Sequence, residues 1–369
     1  MKYYIIAGEA SGDLHASNMM KALKKEDLDA EFRFWGGDLM QEVGGILVKH
    51  YKDLSFMGFV EIIMNLSTIL GNVRFCKKDI ASYQPDVLVF IDYSGFNLRI
   101  AKWAKEQGFK TNYYISPQVW ASRAKRVIDI KRDIDNMYVI LPFEKEFYKK
   151  YSFEVNFVGH PLIDAIASRK VMDEASFRKE NNLNEKPIIA LLPGSRKQEI
   201  TKMLSVMLSL VDSYKGYQFV IAGAPSQDYG FYMTFIKTDN VSFITNKTYD
   251  LLSVSKAALV ASGTATLETA LFKVPQIVCF KGSAISYQIA KRIITLKFIS
   301  LVNLIMGKEV VTELIQNDFN KKNLKSELNK ILVGDARKEM LKKYDVLEQK
   351  LGGAGASGKV ASLLFLANK

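Results

Sequence analysis

The sequence predicts an α/β protein made of two Rossmann-like domains with parallel sheets. Short, continuously apolar runs alternate with longer segments of helical periodicity, which is the pattern of strands buried on both faces of a parallel sheet. This alternation starts again after Pro161, so we expect two sheets. A length of 369 residues also exceeds what one hydrophobic core usually holds.

The apolar runs that we predict as strands fall into two groups. Those of the first group are Tyr3–Ala7, Val87–Ile91, Thr111–Ile115 and Met137–Leu141. Those of the second group are Ile188–Leu192, Gln218–Gly223, Ala257–Ala261 and Gln276–Phe280. We therefore place one domain at 1–165, a second at 166–345, and a C-terminal helical segment at 346–369 that can cross back to the first domain. Two facing domains would gather their strand ends around one cleft.

The composition excludes some classes of protein and leaves others open. A net charge of +12 attracts nucleic acid, anionic lipid or phosphorylated substrates, and charge alone does not choose among them. Two cysteines and three histidines without ligand spacing predict neither a disulfide framework nor a zinc site. The N-terminal run is too short for a signal peptide, and no apolar stretch reaches about 18 residues, so we expect no spanning helix.

Two turns of the first domain carry carboxylates where ligands of parallel sheets bind. The turn after the first strand is Gly8-Glu9-Ala10-Ser11-Gly12-Asp13, in which Ser11 and Asp13 can cap the next helix and Glu9 is unexplained by structure alone. It lacks the spacing of a dinucleotide fingerprint. The second turn contains Asp92, which ends an apolar strand and either acts as a base of raised pKa or caps the following helix.

Two turns of the second domain are suited to phosphate. Leu192-Pro193-Gly194-Ser195-Arg196 passes from a strand into a helix start, where free N–H groups, a hydroxyl and a guanidinium can hold an anion. Ala261-Ser262-Gly263-Thr264-Ala265-Thr266-Leu267-Glu268 follows another strand, and Glu268 is placed to accept hydrogen bonds from a ribose. Together the two turns favour a nucleotide diphosphate ligand, although each is also compatible with a routine helix cap.

A wide apolar surface is predicted for the segment at 56–70. Read as a helix, its polar residues form one narrow stripe, and basic residues follow it. The segment therefore suits an interfacial or acyl-chain-binding helix, or else a buried core or dimer helix. Further basic residues, which can face anionic lipid, substrate phosphate or solvent, are Arg123, Lys125, Arg126, Lys131, Arg132, Lys291 and Arg292.

In combination these motifs resemble the lipid-A-disaccharide synthase family. The resemblance runs from about Tyr3 to Glu313, and more loosely to the C-terminus. No single motif is specific to this family, but the occurrence of all six in the expected order is highly specific. In chain order they are Gly8–Asp13, Phe56–Glu61, Ser116–Ala121, Leu141–Glu144, Leu192–Arg196 and Ser262–Glu268.

The resemblance implies a GT-B glycosyltransferase fold and an inverting reaction without metal or cofactor. The implied donor is UDP-2,3-diacylglucosamine, the acceptor is 2,3-diacylglucosamine 1-phosphate (lipid X), and the products are a β-linked disaccharide 1-phosphate and UDP. The first domain would face the acceptor and membrane, and the second would bind the UDP-sugar. Family members are peripheral on the cytoplasmic face of the inner membrane of Gram-negative bacteria. They are homodimers with exchanged C-terminal segments, including the region at 293–313, and bind no nucleic acid.

The resemblance also implies roles for individual residues. Asp92 is the expected base, with Glu9 as the alternative base or as the residue that orients the acceptor, and Arg196 stabilises charge on the leaving UDP. The expected nucleotide-binding residues are Gly194, Ser195, Arg196, Gly223, Ser262, Gly263, Thr264, Thr266 and Glu268, and the acceptor-side turn residues are Ser11, Gly12 and Asn97. The expected membrane or acyl-chain residues are Phe56, Met57, Phe59, Val60, Ile62, Ile63 and Leu66.

Two positions depart from the family pattern. Many members carry a second aspartate where this chain has Gly95, which bears on the assignment of the base. Many also carry a second tryptophan where this chain has Ser122, which bears on the packing around the acceptor.

Other functions compete with this interpretation. Another GT-B enzyme, such as a UDP-N-acetylglucosamine epimerase, would share the diphosphate turns without needing the apolar segment. A dinucleotide-dependent oxidoreductase would require the missing glycine fingerprint. A non-catalytic basic module that binds membrane or nucleic acid would leave the strand-end carboxylates unexplained.

Overall fold

The structure is a computed structural model that describes residues 1–54, 66–169, 171–283 and 296–369. The chain divides into two compact units. The first contains Met1–Ala167 together with Leu351–Lys369, and the second contains Ser168–Lys350. Each unit is built on one parallel sheet, so the prediction of two Rossmann-like domains is confirmed.

The first unit contains a seven-stranded sheet with the spatial order β3-β2-β1-β4-β5-β6-β7. All its neighbouring strands pair in parallel. In β1, Tyr3 and Ile5 pack into the core on one face, whereas Tyr4 and Ile6 pack into the core on the other, which is why the run is continuously apolar. The strands are β1 (Lys2–Ala7), β2 (Glu31–Gly36), β3 (Ile46–His50), β4 (Val87–Ile91), β5 (Thr111–Tyr114), β6 (Asn136–Val139) and β7 (Asn156–Phe157).

Most helices of the first unit connect these strands, and one further helix comes from the C-terminal end of the chain. Within Met1–Ala167 the helices are α1 (Ala10–Glu26), α2 (Asp38–Val43), α3 (Leu66–Tyr83), α4 (Ser94–Glu106), α5 (Val119–Ser122), α6 (Val127–Asp133), α7 (Pro142–Lys149) and α8 (Pro161–Ala167). Single 3₁₀ turns occur at Tyr51–Leu54 and Ala124–Arg126.

The second unit contains a six-stranded parallel sheet with the order β10-β9-β8-β11-β12-β13. Its strands are β8 (Ile188–Leu192), β9 (Gln218–Gly223), β10 (Val241–Thr245), β11 (Ser255–Ala261), β12 (Gln276–Phe280) and β13 (Thr312–Ile315). Its helices are α9 (Glu174–Glu180), α10 (Lys197–Leu208), α11 (Tyr229–Met233), α12 (Thr248–Val254), α13 (Thr264–Leu271), α14 (Leu301–Met306), α15 (Lys321–Leu332) and α16 (Asp335–Lys350), with a 3₁₀ turn at Val211–Ser213.

The last helix, α17 (Ala356–Asn368), belongs to the first unit, where it packs along α1. Val360, Ala361 and Leu364 are fully buried in the same core as Tyr3. The Asp164 carboxylate accepts hydrogen bonds from the backbone N–H groups of Gly355 (2.6 Å) and Ser357 (2.8 Å), and so fixes the helix start. The C-terminal segment thus completes the core of the first unit.

All of the predicted strands are present, but five further strands had no clear signal. Strands β3, β7, β10 and β13 are the edges of the two sheets, where only part of the strand is buried and the apolar pattern is weak. In β2, Glu31 and Arg33 interrupt the apolar run. Two predicted strands extended too far, since β5 ends at Tyr114 and β6 ends at Val139.

Candidate active site

Asp92 lies at the carboxyl end of β4 in an unusual backbone conformation. Both Asp92 and Tyr93 have φ of +45°, in the left-handed region that non-glycine residues seldom adopt. The turn is held by the Asp92 carbonyl, which accepts hydrogen bonds from the Asn97 amide (2.8 Å) and the Tyr113 hydroxyl (2.5 Å). Its own N–H donates to the Tyr114 carbonyl at 3.1 Å. Strain that surrounding contacts maintain in this way is common at functional sites.

The Asp92 carboxyl is electrostatically perturbed. Partial burial raises its pKa to about 6, the negative charge of Glu9 adds to the rise, and the N–H of Tyr93 opposes it. Glu9 itself is exposed at the N-cap of α1. The two carboxylates that the sequence placed at strand ends are therefore close enough to interact, and Asp92 can take up a proton near neutral pH.

The glycines of the first turn make room for this arrangement. A Cβ at Gly8 would lie 2.2 Å from the Tyr93 ring, so only glycine fits beneath that ring. A Cβ at Gly12 would lie 3.2 Å from the Ala7 Cβ, where α1 leaves the sheet. Ser11 is exposed in the first turn of α1, whereas Asn97 is fully buried and reaches the carbonyls of Ile6 and Ile91 as well as Asp92.

The expectation that Ser11 and Asp13 cap α1 is wrong. No side chain caps this helix, because Ser11 and Asp13 lie inside it. The buried Asp13 carboxylate instead accepts hydrogen bonds from the N–H groups of Gly37 (2.8 Å), Leu39 (3.1 Å) and Met40 (3.1 Å). Asp13 therefore satisfies the free N–H groups of α2, a partner distant in sequence.

The second unit contains a cavity of about 300 Å³ at the carboxyl ends of β8, β9 and β11. Both predicted phosphate turns line it, together with the end of β9. The predicted residues that line it are Gly194, Ser195, Gly223, Ser262, Gly263, Thr264 and Glu268. Gly194 has φ of +103°, so its turn requires glycine. The cavity size and the helix N-termini that follow both turns suit a nucleotide.

Glu268 lies on one wall of this cavity. Burial raises its pKa, and the hydrogen bond that its Oε1 accepts from the Tyr249 hydroxyl at 2.9 Å opposes the rise. Two predicted nucleotide-binding residues do not line the cavity. Arg196 is exposed at the N-cap of α10, and Thr266 is fully buried, with its hydroxyl donating to the Gly263 carbonyl at 2.8 Å.

With this geometry in place, comparison with known proteins assigns the chain to a family. The family model described as lipid-A-disaccharide synthetase matches residues 3–361. The chain belongs to the lipid-A-disaccharide synthase family. The Lipid-A-disaccharide synthase of Syntrophus aciditrophicus is 40% identical over 97% of this chain and 95% of its own length. That of Geobacter sulfurreducens is 35% identical over 98% of this chain and 96% of its own length.

Similar solved structures support a GT-B fold for this member of the lipid-A-disaccharide synthase family. The UDP-GlcNAc 2-epimerase from Neisseria meningitidis bound to UDP-GlcNAc has a TM-score of 0.70 at 14% identity, covering 99% of both chains. The calicheamicin glycosyltransferase has a TM-score of 0.60 at 11% identity, covering 100% of this chain and 97% of its own. At such identities the likeness concerns the fold alone. The family and its named relatives identify the chain as a glycosyltransferase of lipid A biosynthesis and disfavour the epimerase interpretation.

Two of the family motifs pack against each other in the first unit. The Ser116 hydroxyl lies 2.6 Å from the Tyr148 hydroxyl, and the rings of Trp120 and Phe143 meet edge to face at 4.9 Å. The Glu144 carboxylate accepts a hydrogen bond from the Leu141 N–H at 2.9 Å, and burial raises its pKa to about 7. These motifs therefore have a structural role in shaping the edge of the sheet near β5 and β6.

The sequence did not indicate three residues of the second site. Thr248 and Glu199 line the cavity, and Tyr249 bonds the Glu268 carboxylate. Thr248 begins α12 after the edge strand β10, which had no clear signal, so its position could not be inferred. Glu199 folds back over the turn, with Oε2 2.5 Å from where a Gly194 Cβ would be.

Several predicted residues lie outside the described part of the chain. The membrane or acyl-chain residues Phe56, Met57, Phe59, Val60, Ile62 and Ile63 belong to this group, as do Lys291 and Arg292. Leu66 is the first residue of α3. Among the described residues no helix is long and apolar enough to cross a membrane. In the same ranges no cluster of His, Cys, Asp or Glu could hold a metal ion.

Proposed function

We propose that this chain transfers 2,3-diacylglucosamine from its UDP donor to 2,3-diacylglucosamine 1-phosphate with inversion at the anomeric carbon. An acceptor hydroxyl attacks that carbon, the bond between the carbon and the UDP oxygen breaks, and the hydroxyl proton passes to a carboxylate of the enzyme. The observation that carries the proposal is the strand-end position of Asp92 with its pKa of about 6. Membership of the family supports the choice of substrates.

Asp92 is the proposed base. A base works best when its pKa lies near the working pH, and partial burial beside Glu9 moves Asp92 in that direction. The hydrogen bonds from Asn97 and Tyr113 to its carbonyl hold the strained turn, and thereby the direction of the carboxylate. Glu9, which is exposed beside it, orients the acceptor, with Ser11 and Gly12 in the same turn.

The cavity of the second unit is the proposed UDP site. Backbone N–H groups of the turns at Gly194 and Gly263 would hold the diphosphate, and Glu268 would accept hydrogen bonds from the ribose. Arg196 is exposed at the start of α10, next to the first of these turns. Its guanidinium is free to swing onto the diphosphate and stabilise the charge that develops as UDP leaves. Thr266 supports the second turn through its bond to the Gly263 carbonyl.

We also propose that the enzyme is a cytoplasmic homodimer, peripheral on the inner membrane. The apolar sequence at 56–70 and the net charge of +12 support binding to an anionic bilayer surface. The helix α17 is a separate element that completes the core of the first unit. An exchanged C-terminal segment would make the same contacts on a partner's first unit. Light scattering coupled to gel filtration would show the mass of a dimer.

The reaction is tested with the purified chain and both substrates in detergent micelles without divalent metal. Disaccharide and UDP are followed for the wild type, Asp92→Asn and Asp86→Asn. Asp86 is the matched control because it lies at the other end of β4, where its carboxylate accepts a bond from the Lys2 N–H. We expect activity from the wild type and Asp86→Asn, and a loss of about 10²–10⁴-fold in Asp92→Asn.

The other outcomes separate the parts of the proposal. Full activity of Asp92→Asn would move the base to Glu9 and leave the reaction in place. Absence of disaccharide from the folded wild type across several acyl lengths would contradict the synthase reaction. Conversion of UDP-N-acetylglucosamine to its 2-epimer would establish the epimerase alternative instead.

A further inference from the structure

A group of exposed cations follows β5, the strand that pairs with β4, and has no part in the mechanism above. Arg123, Lys125 and Arg126 lie at and around the 3₁₀ turn between α5 and α6, and all three are exposed. The sequence from 116 to 128 contains no acidic residue. Among the described residues, none of the three forms an ion pair. We refer to these three residues as the basic turn.

Two neighbouring cations behave differently. Arg132, one turn further along α6, pairs with Asp129 at 3.1 Å and with Asp133 at 2.7 Å. Lys105 on α4 pairs with Asp135. Among the described residues these two cations are therefore neutralised by carboxylates of the chain, whereas the three cations of the basic turn form no ion pair. Like charges held together without a counter-ion are unfavourable, so the turn is suited to an external anion.

The position of the basic turn relates it to Asp92. It follows β5, which pairs with β4 so that Tyr114 lies opposite Ile91, and both strands end at the same edge of the sheet. Tyr113 on β5 donates its hydroxyl hydrogen bond to the Asp92 carbonyl. Burial and the charge of Asp92 raise the pKa of that hydroxyl, and the positive charge of Arg126 opposes the rise. Arg126 thus acts electrostatically on a side chain that contacts Asp92.

The chemistry of the acceptor defines which anion fits. Resting on the function proposed above, the acceptor carries a phosphate monoester on the same sugar as the hydroxyl that Asp92 deprotonates. A guanidinium binds such a group through paired, charge-assisted hydrogen bonds. We propose that Arg126, with Arg123 and Lys125 beside it, binds the phosphate of the acceptor sugar and so places the attacking hydroxyl at Asp92.

The test compares acceptors with and without the phosphate. The enzymes are the wild type, Arg126→Ala, Arg126→Lys, Arg123→Ala/Arg126→Ala, and Arg132→Ala as the control for loss of a paired cation. The acceptors are 2,3-diacylglucosamine 1-phosphate and the same sugar lacking phosphate. Disaccharide formation gives KM for donor and acceptor, and calorimetry in detergent micelles gives the affinity for the phosphorylated acceptor without turnover.

We expect Arg126→Ala to raise KM and Kd for the phosphorylated acceptor on the order of tenfold to a hundredfold. The KM of the donor and the rate with the acceptor that lacks phosphate should not change. Arg126→Lys should keep part of the affinity, and Arg132→Ala should resemble the wild type. Since Arg126 is exposed, the variant is expected to fold, which a thermal melt checks.

Two results would overturn the inference. One is unchanged acceptor KM and Kd in both the single and the double variant. The other is unchanged acceptor affinity together with weaker binding of the variants to phosphatidylcholine vesicles that contain phosphatidylglycerol, which would assign the basic turn to the membrane surface. If the wild type forms no disaccharide, the proposed function fails separately, and the calorimetric comparison still decides whether Arg126 binds the phosphorylated sugar.

Discussion

The buried amide of Asn97 donates a hydrogen bond of 2.8 Å to the main-chain carbonyl of Asp92, and also reaches the carbonyls of Ile6 near the end of β1 and Ile91 at the end of β4. One side chain thus ties together two strand ends and the strained turn that carries the proposed base. The same carbonyl of Asp92 accepts the Tyr113 hydroxyl from β5. Residues of three neighbouring strands and the following helix therefore hold the turn that carries the Asp92 carboxylate.

Replacing Asn97 with Ala should lower both stability and turnover. The loss removes the amide donor that these buried carbonyls share, and leaves the Asp92 carbonyl only the Tyr113 hydroxyl, which costs about 1–3 kcal/mol of the free energy of unfolding. Asn112→Ala is the matched control, since Asn112 is equally buried but bonds the Leu88 carbonyl at the other end of the sheet. Denaturant unfolding should show both variants destabilised, while kcat falls only in Asn97→Ala. Equal specific activity of the two folded variants would show that Asn97 has no positioning role.

The pH dependence of kcat/KM should report the ionisation of Asp92. A base must be deprotonated, so activity should rise with pH around a midpoint of about 6, the pKa of Asp92. Glu9→Gln removes the negative charge that adds to this rise, and the midpoint should therefore move to lower pH. Steady-state rates from pH 5 to 8 (about one decade of change expected per unit below the midpoint) test both statements. A midpoint that stays in place in Glu9→Gln would contradict the coupling of the two carboxylates.

Asp92→Asn should make the protein more stable at neutral pH. In the fold the pKa of Asp92 is raised from 3.8 to about 6, so the folded state binds the proton more tightly than the unfolded chain. Stability is then lost as pH rises from about 4 to about 6, and the full cost, on the order of 1–3 kcal/mol, persists above that range. Asparagine lacks this ionisation and accepts the left-handed backbone.

Thermal and denaturant unfolding at pH 4 and pH 7.5 measure this difference. The gap between Asp92→Asn and the wild type should be present at pH 7.5 and nearly absent at pH 4. Asp86→Asn controls for the loss of one negative charge. A wild type as stable as Asp92→Asn at pH 7.5 would mean that the ionised carboxylate is not strained by its surroundings.

Gly8→Ala should disturb the turn that carries Asp92. Its Cβ would lie 2.2 Å from the Tyr93 ring, so the ring or the turn must move, which costs about 1–3 kcal/mol. Gly95→Ala is the control, because a Cβ there would meet no atom within 4 Å and alanine favours the helix α4. Activity and unfolding midpoints should fall in Gly8→Ala only. Similar values for the two variants would show that Tyr93 is not packed over Gly8.

Gly194→Ala should weaken binding of UDP. The backbone φ of +103° is strained for alanine, and the new Cβ would lie 2.5 Å from the Glu199 carboxylate. The turn should shift and misplace its N–H groups, lowering UDP affinity by about tenfold or more. Gly216→Ala, where a Cβ would meet nothing within 4 Å, is the control. Calorimetric titration with UDP would refute the assigned site if both variants bind like the wild type.

Local sequence was sufficient for much of the fold and for the list of candidate residues. The central strands of both sheets were predictable because burial on both faces requires a continuous apolar run, as in Val87–Ile91 and Ile188–Leu192. The edge strands were not, since β3 and β13 are only partly buried. The phosphate turns were predictable because a strand followed by glycine and a helix start is a local pattern, and most of their residues line one cavity.

The sequence by itself determined the two parallel sheets, the turns at their strand ends, and, through motifs in register, the family. Tertiary structure decided what each polar side chain does. Asp13 accepts hydrogen bonds from N–H groups at the start of α2, Thr266 donates to the Gly263 carbonyl in its own turn, and Asn97 donates to the carbonyl of Asp92. Tertiary structure also decided the raised pKa of Asp92. The reason is physical: burial, charge interaction and hydrogen bonding depend on neighbours in space that lie far away along the chain.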